Sequence, residues 1–195
     1  RKFPGLRIQG LVANFHSHLH RIPPSNKKMF CFLGSTLGNL PQTKAEILFE
    51  KLGSLMSSRD RFLLGVDMVK PRDILERAYN DSSGITAEFN RNILNAVNRT
   101  AGCNFVPGSF EHIAFFNESR SRIEMHLEAR QDMTVSSPRF AGDIFIRNGE
   151  RIHTENSGKF TVEHIKRLAD SGGLIITRRD TDSNNWFSLF EMKRC

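Results

Sequence analysis

Three apolar segments near the start of the chain, Leu6 to Ala13, Lys28 to Leu33 and Arg61 to Asp67, are rich in β-branched or aromatic residues and bounded by turn formers. Each predicts a strand. Between the last two, Ile47, Leu48, Leu52 and Leu55 recur at helical spacing behind Pro41, with Thr43 as the candidate N-cap. Strand, helix and strand in that order predict a right-handed parallel crossover, the unit of a doubly wound sheet.

After Val69 the texture changes. PRDILERAYND and GITAEFNRNILNAVNRTAG read as helices, the second with Ile93, Leu94 and Val97 as its apolar stripe. From Phe110 to about Glu155 the pattern becomes short alternating runs, FEHIAFFN, RIEMHLEA, DIFIRN and ERIHTE, separated by turns such as Asn148-Gly149. That predicts an antiparallel meander. The α/β rhythm then returns with a helix from about Thr161 to Ala169, ended by Gly172-Gly173, and strands LIITRRD and NWFSLFEMK. The chain reads as an α/β domain at 1–69 and 160–195, interrupted by an inserted domain at 70–159.

Composition narrows the class. The 195 residues are 38% hydrophobic and 25% charged, with no run long enough to span a bilayer and no basic-then-apolar leader. A soluble protein is expected. Cys31, Cys103 and Cys195 are odd in number and widely spaced, which predicts neither a disulfide framework nor a cysteine zinc site and fits a reducing cytoplasm. The net charge is +7. Its basic residues come as short pairs among acids, so a solvated surface is expected rather than a nucleic-acid footprint. Because the first residue is Arg1 and RKFPGLRIQGLVANF already resembles the approach to an internal strand, a longer parent chain is expected.

Ligands of open α/β sheets gather at the carboxyl ends of the strands, where FLGSTLGN lies. Gly34 permits close backbone approach, Ser35 and Thr36 carry hydroxyls, and Asn39 has an amide donor and acceptor. The alternative is a turn whose polar groups bond only their own backbone. Asn14-Phe15, at the end of the first apolar run, offers an amide and a ring to a heterocycle. His16, His18 and His20 in HSHLH could face one metal ion from an extended segment, yet the neighbouring Pro23-Pro24 and the lack of a nearby carboxylate favour an exposed run; no metal is expected. Glu155 and Ser157, two apart, share a face if extended and could orient a polar ring, or they are a surface carboxylate and a cap. Met125 alternates with Ile123 and Leu127 and reads as core or pocket wall. Tyr79, the one tyrosine, ends a helix; it is either a half-buried packing residue or a hydroxyl for a carboxylate.

Taken together, FLGSTLGN, LLGVDMVK, AYNDSSGITAEFNRNILNAVNR, FEHIAFFN, RIEMHLEA, ENSGKF and NWFSLFE resemble, in order and spacing, the histidine-specific S-adenosylmethionine-dependent methyltransferases of ergothioneine biosynthesis. The resemblance covers essentially the whole chain. It implies an α/β fold, part of a Rossmann-like class I methyltransferase sheet with an inserted α+β substrate-binding domain. It also implies a further N-terminal part, a domain's worth of chain, carrying the glycine-rich loop of the cofactor site.

The implied activity is N-trimethylation of the α-amino group of L-histidine to hercynine, with S-adenosyl-L-methionine as cofactor and no covalent nucleophile. The resemblance puts backbone at Gly34 beside the reacting amine, Asn39 on the amino and carboxylate end, Tyr79 on the carboxylate, Glu155 and Ser157 on the imidazole, and Met125 on the side-chain pocket. Asn14-Phe15 stands where the family has Asp-Phe against the adenine, so that contact loses its charge assistance. A monomer is implied, with a small-molecule substrate and neither nucleic acid nor membrane as partner. Alternatives are a methyltransferase of a tryptophan-derived or other aromatic amino acid, and an inactive histidine-binding module.

Overall fold

The computed structural model describes residues 4–195. Strand β1 (Met29–Phe32), helix α1 (Gln42–Leu55) and strand β2 (Arg61–Asp67) form the expected unit, with β1 and β2 parallel and Phe30 opposite Phe62. Helix α1 starts two positions earlier than Thr43 suggests: the Pro41 carbonyl accepts from the N–H groups of Lys44 and Ala45, which makes Pro41 the cap and leaves Thr43 in the first turn. Its buried stripe is Ala45, Leu48, Phe49 and Leu52, whereas Ile47 is exposed.

The last two strands, β8 (Leu174–Thr181) and β9 (Phe187–Arg194), form a hairpin, and β9 pairs antiparallel with β2. The sheet order is β1-β2-β9-β8, so β9 runs against its three companions. Alternate residues Phe62, Leu64 and Val66 of β2 and Phe190 and Met192 of β9 turn to one face and are buried under α1 and helix α4 (Val162–Ser171). Phe49 meets Phe62 edge to face, with ring centroids 5.6 Å apart. The two helices contact each other and share this one core, so among the described residues the sheet is covered on a single face rather than doubly wound.

The strand expected at Leu6 to Ala13 is absent: no described strand pairs with these residues, and Ile8 and Val12 are 85% and 98% exposed. An apolar run becomes a strand only where a neighbouring ladder satisfies its backbone.

A second layer system follows. Helices α2 (Arg72–Tyr79) and α3 (Ile85–Ala101) pack on an antiparallel sheet of β3 (Phe110–Asn117), β4 (Arg122–Ala129) and β7 (Arg151–Gly158). The inner face of β4, Ile123, Met125, Leu127 and Ala129, is buried throughout. The expected single meander is in fact divided. Strand β6 (Ile144–Ile146) leaves the sheet and pairs with β5 (Met133–Val135), three residues too short to show an alternation. The chain departs from the first sheet at Met68-Val69 and returns at Phe160, and the two points are bonded, Val69 N–H to the Phe160 carbonyl and Phe160 N–H to the Asp67 carbonyl.

The parallel crossover hinges on Asp60. This buried carboxylate accepts from the N–H of Lys28 at 2.6 Å and of Ser57 at 2.8 Å, with the Lys28 ammonium at 3.4 Å, thereby tying the start of β1 to the turn after α1. The Ser57 N–H is the largest influence holding its carboxyl at about 2, below the usual 3.8. A carboxyl depressed in the fold stabilises above its unfolded pKa, and the contribution is lost as pH falls through the folded value. Asp60→Asn is therefore expected to lower the urea midpoint at neutral pH, and the gap from the parent to close as pH falls from about 3.8 toward about 2.

Candidate active site

The segment FLGSTLGN is shaped by its own small residues before it presents anything. Gly34 (φ 75°) and Ser35 (φ 57°) turn the chain out of β1. The Ser35 N–H reaches the Gly65 carbonyl at 3.1 Å, and the Ser35 hydroxyl accepts from the Asp67 N–H at 3.0 Å, which fastens the loop to the end of β2. Thr36 donates to the Leu33 carbonyl. Thr36 thus bonds its own turn, as the plain-turn alternative has it, whereas Ser35 bonds the neighbouring strand, Leu37 enters the core and Asn39 points onward.

What brings this loop to the second sheet is a contact between two glycines. A Cβ at Gly38 would lie 2.7 Å from the Gly158 carbonyl oxygen and 2.9 Å from its nitrogen, so the loop lies directly on the end of β7. With the backbones that close, the Asn39 amide donates to Glu155 Oε1 at 3.1 Å.

Strand β7 carries a bulge. Met125 is opposite Glu155 and His126 is opposite His153, leaving Thr154 as the extra residue, its hydroxyl bonded to the Met125 carbonyl. The bulge places Glu155 and Ser157 on the Met125 side of the sheet and His153 on the His126 side. Burial raises the Glu155 carboxyl above its usual range.

From the end of α2 the Tyr79 hydroxyl reaches Ser157 Oγ at 2.7 Å, and its ring packs with Met125, Ile123 and Leu75. Behind this pair stands a residue that sequence reasoning missed. Lys159, with a fully buried side chain, donates to Ser157 Oγ at 2.8 Å and to Tyr79 Oη at 2.9 Å, and pairs with Asp67 at 3.2 Å; Lys70 holds the other Asp67 oxygen at 2.6 Å. In ENSGKF a lysine reads as solvated. Its pairing with the aspartate that ends β2 is a contact between segments far apart in sequence.

The structure therefore gathers Asn39, Tyr79, Met125, Glu155 and Ser157 around β7. Gly34 lies at the mouth of the same loop, with open space where a Cβ would stand. Asn14 and Phe15 are not part of that bonded set. The Asn14 Oδ1 accepts from the His16 N–H at 2.8 Å, and Phe15 rests beside Phe32 on an apolar groove along β1. For an adenine, the exposed Phe15 ring fits, and Asn14 Oδ1, with one lone pair engaged by His16, has a second for the adenine amine. Nor do the HSHLH histidines converge on one point: His18 Nδ1 accepts from the Asn14 N–H. Among the described residues the group with metal-ligand proximity is Glu124, His126 and His153 on the outer face of the second sheet, and there Arg122 already pairs with the carboxylate at 2.7 Å.

Gly38→Ala is expected to force the loop off β7 and lower unfolding stability by about 1–3 kcal/mol, the usual range for overpacking. Ser35→Ala, which leaves that contact intact, should cost about 0.5–1.5 kcal/mol, the worth of one ordinary hydrogen bond. Urea denaturation of both variants checks the order.

Comparison with known proteins agrees with this arrangement. Residues 1–194 match the family described as histidine-specific methyltransferase, SAM-dependent. The histidine N-alpha-methyltransferase of Mycolicibacterium smegmatis is 39% identical over 189 residues, covering 96% of this chain and 59% of that protein. That of Mycobacterium tuberculosis is 38% identical over 192 residues, covering 97% and 59%. Ergothioneine biosynthesis protein 1 of Neurospora crassa is 29% identical over 153 residues, covering 77% of this chain and 17% of its own. The chain thus spans about three-fifths of the length of the two mycobacterial relatives. With a match along almost its whole length, and with the loop, the bulged strand and the helix-end tyrosine joined in one bonded cluster, this chain belongs to the family of histidine-specific, SAM-dependent methyltransferases.

Proposed function

We propose that the chain forms the substrate wall of an enzyme that methylates the α-amino group of L-histidine three times, giving hercynine in ergothioneine biosynthesis. The observation that carries the reading is the grouping on one side of β7, where the Asn39 amide bonds the Glu155 carboxylate and, two residues on, the Ser157 hydroxyl bonds Tyr79 and Lys159. Family membership and the names of the relatives support it. In this proposal residues 1–69 and 160–195 belong to the methyltransferase domain and 70–159 are the inserted substrate-binding domain. The enzyme works as a cytoplasmic monomer on a small molecule. No helix among the described residues is long and apolar enough to cross a membrane.

Each residue then has a defined task. Glu155 accepts an imidazole N–H, Ser157 meets the other ring nitrogen, and Met125 forms the apolar wall beside the ring. Asn39 holds the amino and carboxylate end with its donor and acceptor. To take up histidine, Asn39 and Glu155 exchange their mutual bond for bonds to the ligand's two ends. Asn14 and Phe15 would hold the adenine of S-adenosylmethionine, which would supply a methyl group already activated on a sulfonium, with the Gly34 backbone beside the reacting amine. The remaining work is orientation of a neutral amine and exclusion of water. As methyl groups accumulate the amine loses its N–H donors, so the fixed points must be the ring and the carboxylate.

A buried carboxylate that expects an N–H rejects a ring without a matching one, because the acceptor is left unpaired. Glu155→Ala, in an enzyme of the relatives' full length that carries this chain, is expected to reduce kcat/KM for histidine on the order of a hundredfold or more while changing S-adenosylhomocysteine affinity less than about threefold. Labelled methyl transfer and calorimetry measure the two quantities. Equal losses in both, or faster transfer to tryptophan than to histidine by the parent enzyme, would overturn the reading.

A further inference from the structure

We propose that Lys159 is a positioning residue that dictates which way the Ser157 proton points, and thereby makes the site select imidazole in its neutral form. The proposal rests on the histidine reading above.

The argument is a count of protons. An ammonium has three hydrogens and no lone pair. Lys159 directs two of them at Ser157 Oγ (2.8 Å) and Tyr79 Oη (2.9 Å), and its charge pairs with Asp67 Oδ2 at 3.2 Å. The two hydroxyls are 2.7 Å apart, and one of them donates to the other. Two hydroxyl protons less one leaves a single proton for a ligand. A phenol, with pKa about 10, is the more acidic hydroxyl and the better donor. With Tyr79 donating, Ser157 accepts from Tyr79 and from Lys159, and both of its lone pairs are occupied. The one thing Ser157 can still offer is its own proton.

Glu155 lies on the same side of β7 and, when ionised, can only accept. A ring that meets one acceptor and one donor must carry one N–H and one bare nitrogen. Neutral imidazole does; imidazolium, with two N–H groups, sets one of them against the Ser157 proton. In this arrangement the Tyr79 proton serves Ser157 before any ligand carboxylate, which recasts the part that resemblance alone assigns to Tyr79.

Other charges around the network stay the same in parent and variants. Asp67 and Lys70 lie behind Lys159. Across the Gly38–Gly158 contact, a groove of about 590 Å³ carries Arg120, Arg122, His164 and Arg167. Glu124, His126 and His153 occupy the other face of the sheet.

The test is the pH dependence of kcat/KM for histidine in an enzyme of the relatives' full length that carries this chain. That parameter reports the ionisation of free substrate and free enzyme. The substrate's α-amine, with pKa about 8, protonates over the same range and lowers every variant by one common factor, so the readout is the fall beyond it. In the parent that excess should be on the order of tenfold from neutral pH to one unit below the imidazole pKa of about 6.5, because the ring protonates. Lys159→Met frees a lone pair on Ser157, which can then accept as well as donate. It should lower kcat/KM at neutral pH by roughly tenfold, the worth of bonds to a charged group, yet flatten that excess fall to less than about threefold. Tyr79→Phe, which removes no charge, should flatten it too. Lys159→Gln keeps two N–H donors without the charge and should retain the parental fall. The proposal is overturned if the variants lose activity in equal proportion at every pH, or if Lys159→Gln flattens the profile while Tyr79→Phe does not, which would make the charge alone responsible. Should Lys159→Met fail to fold, Tyr79→Phe and Lys159→Gln decide the matter between them. A parent enzyme that never methylates histidine would instead bring down the functional reading beneath.

Discussion

A lysine ammonium taken entirely out of water must be surrounded by acceptors, and the arrangement of this molecule's centre follows from that demand. Lys159 finds them on three separate elements: Asp67 where β2 ends, Tyr79 where α2 ends, and Ser157 on β7, which ends just before it. Burying an ion pair brings little net stability once desolvation is counted, but taking away one partner is costly. The interaction therefore acts mainly as a constraint on geometry. The end of the first sheet, the helix after it and the bulged strand cannot shift independently while each supplies one acceptor to the same ion.

The apolar framework was legible because its periodicity reports its surroundings directly. In β4 the alternation of Ile123, Met125, Leu127 and Ala129 with polar residues is that of a strand with helices on one side. The parallel crossover, the helix near Thr161 and the two closing strands were equally visible; that Thr161 caps α4, accepting from the His164 N–H, and that the strands form a hairpin emerge from the structure. What escaped were features set by partners rather than by pattern. Leu6 to Ala13 has the composition of a strand and no ladder to join. Met133–Val135 is a strand only because Ile144–Ile146 lies beside it.

At the site, Glu155, Ser157, Met125, Tyr79 and Asn39 were all named from sequence, chiefly through family resemblance; residue types alone left a turn or a surface carboxylate equally open. Side-chain alternation correctly put Glu155 and Ser157 on one face. It would also have put His153 there, and the extra residue at Thr154 is what removes it. Lys159 escaped because charge is read as exposure until a partner is known, and its partners come from segments remote in sequence. Asn14 shows the converse: a residue of suitable type with one lone pair of its oxygen already engaged by its own turn.

The insertion hangs from the sheet at one place. Its two stems, Val69 and Phe160, are bonded to each other and to the end of β2. Whatever length of chain lies between them, the first sheet sees the same pair of stems. Closing a longer or shorter excursion costs only a slowly growing entropy. The segment between the stems can then be rebuilt, lengthened or exchanged as a cassette, leaving the four-stranded sheet undisturbed. Such a graft must respect the meeting of Gly38 with Gly158, where no side chain fits between the two parts, and the pairing of Lys159 with Asp67.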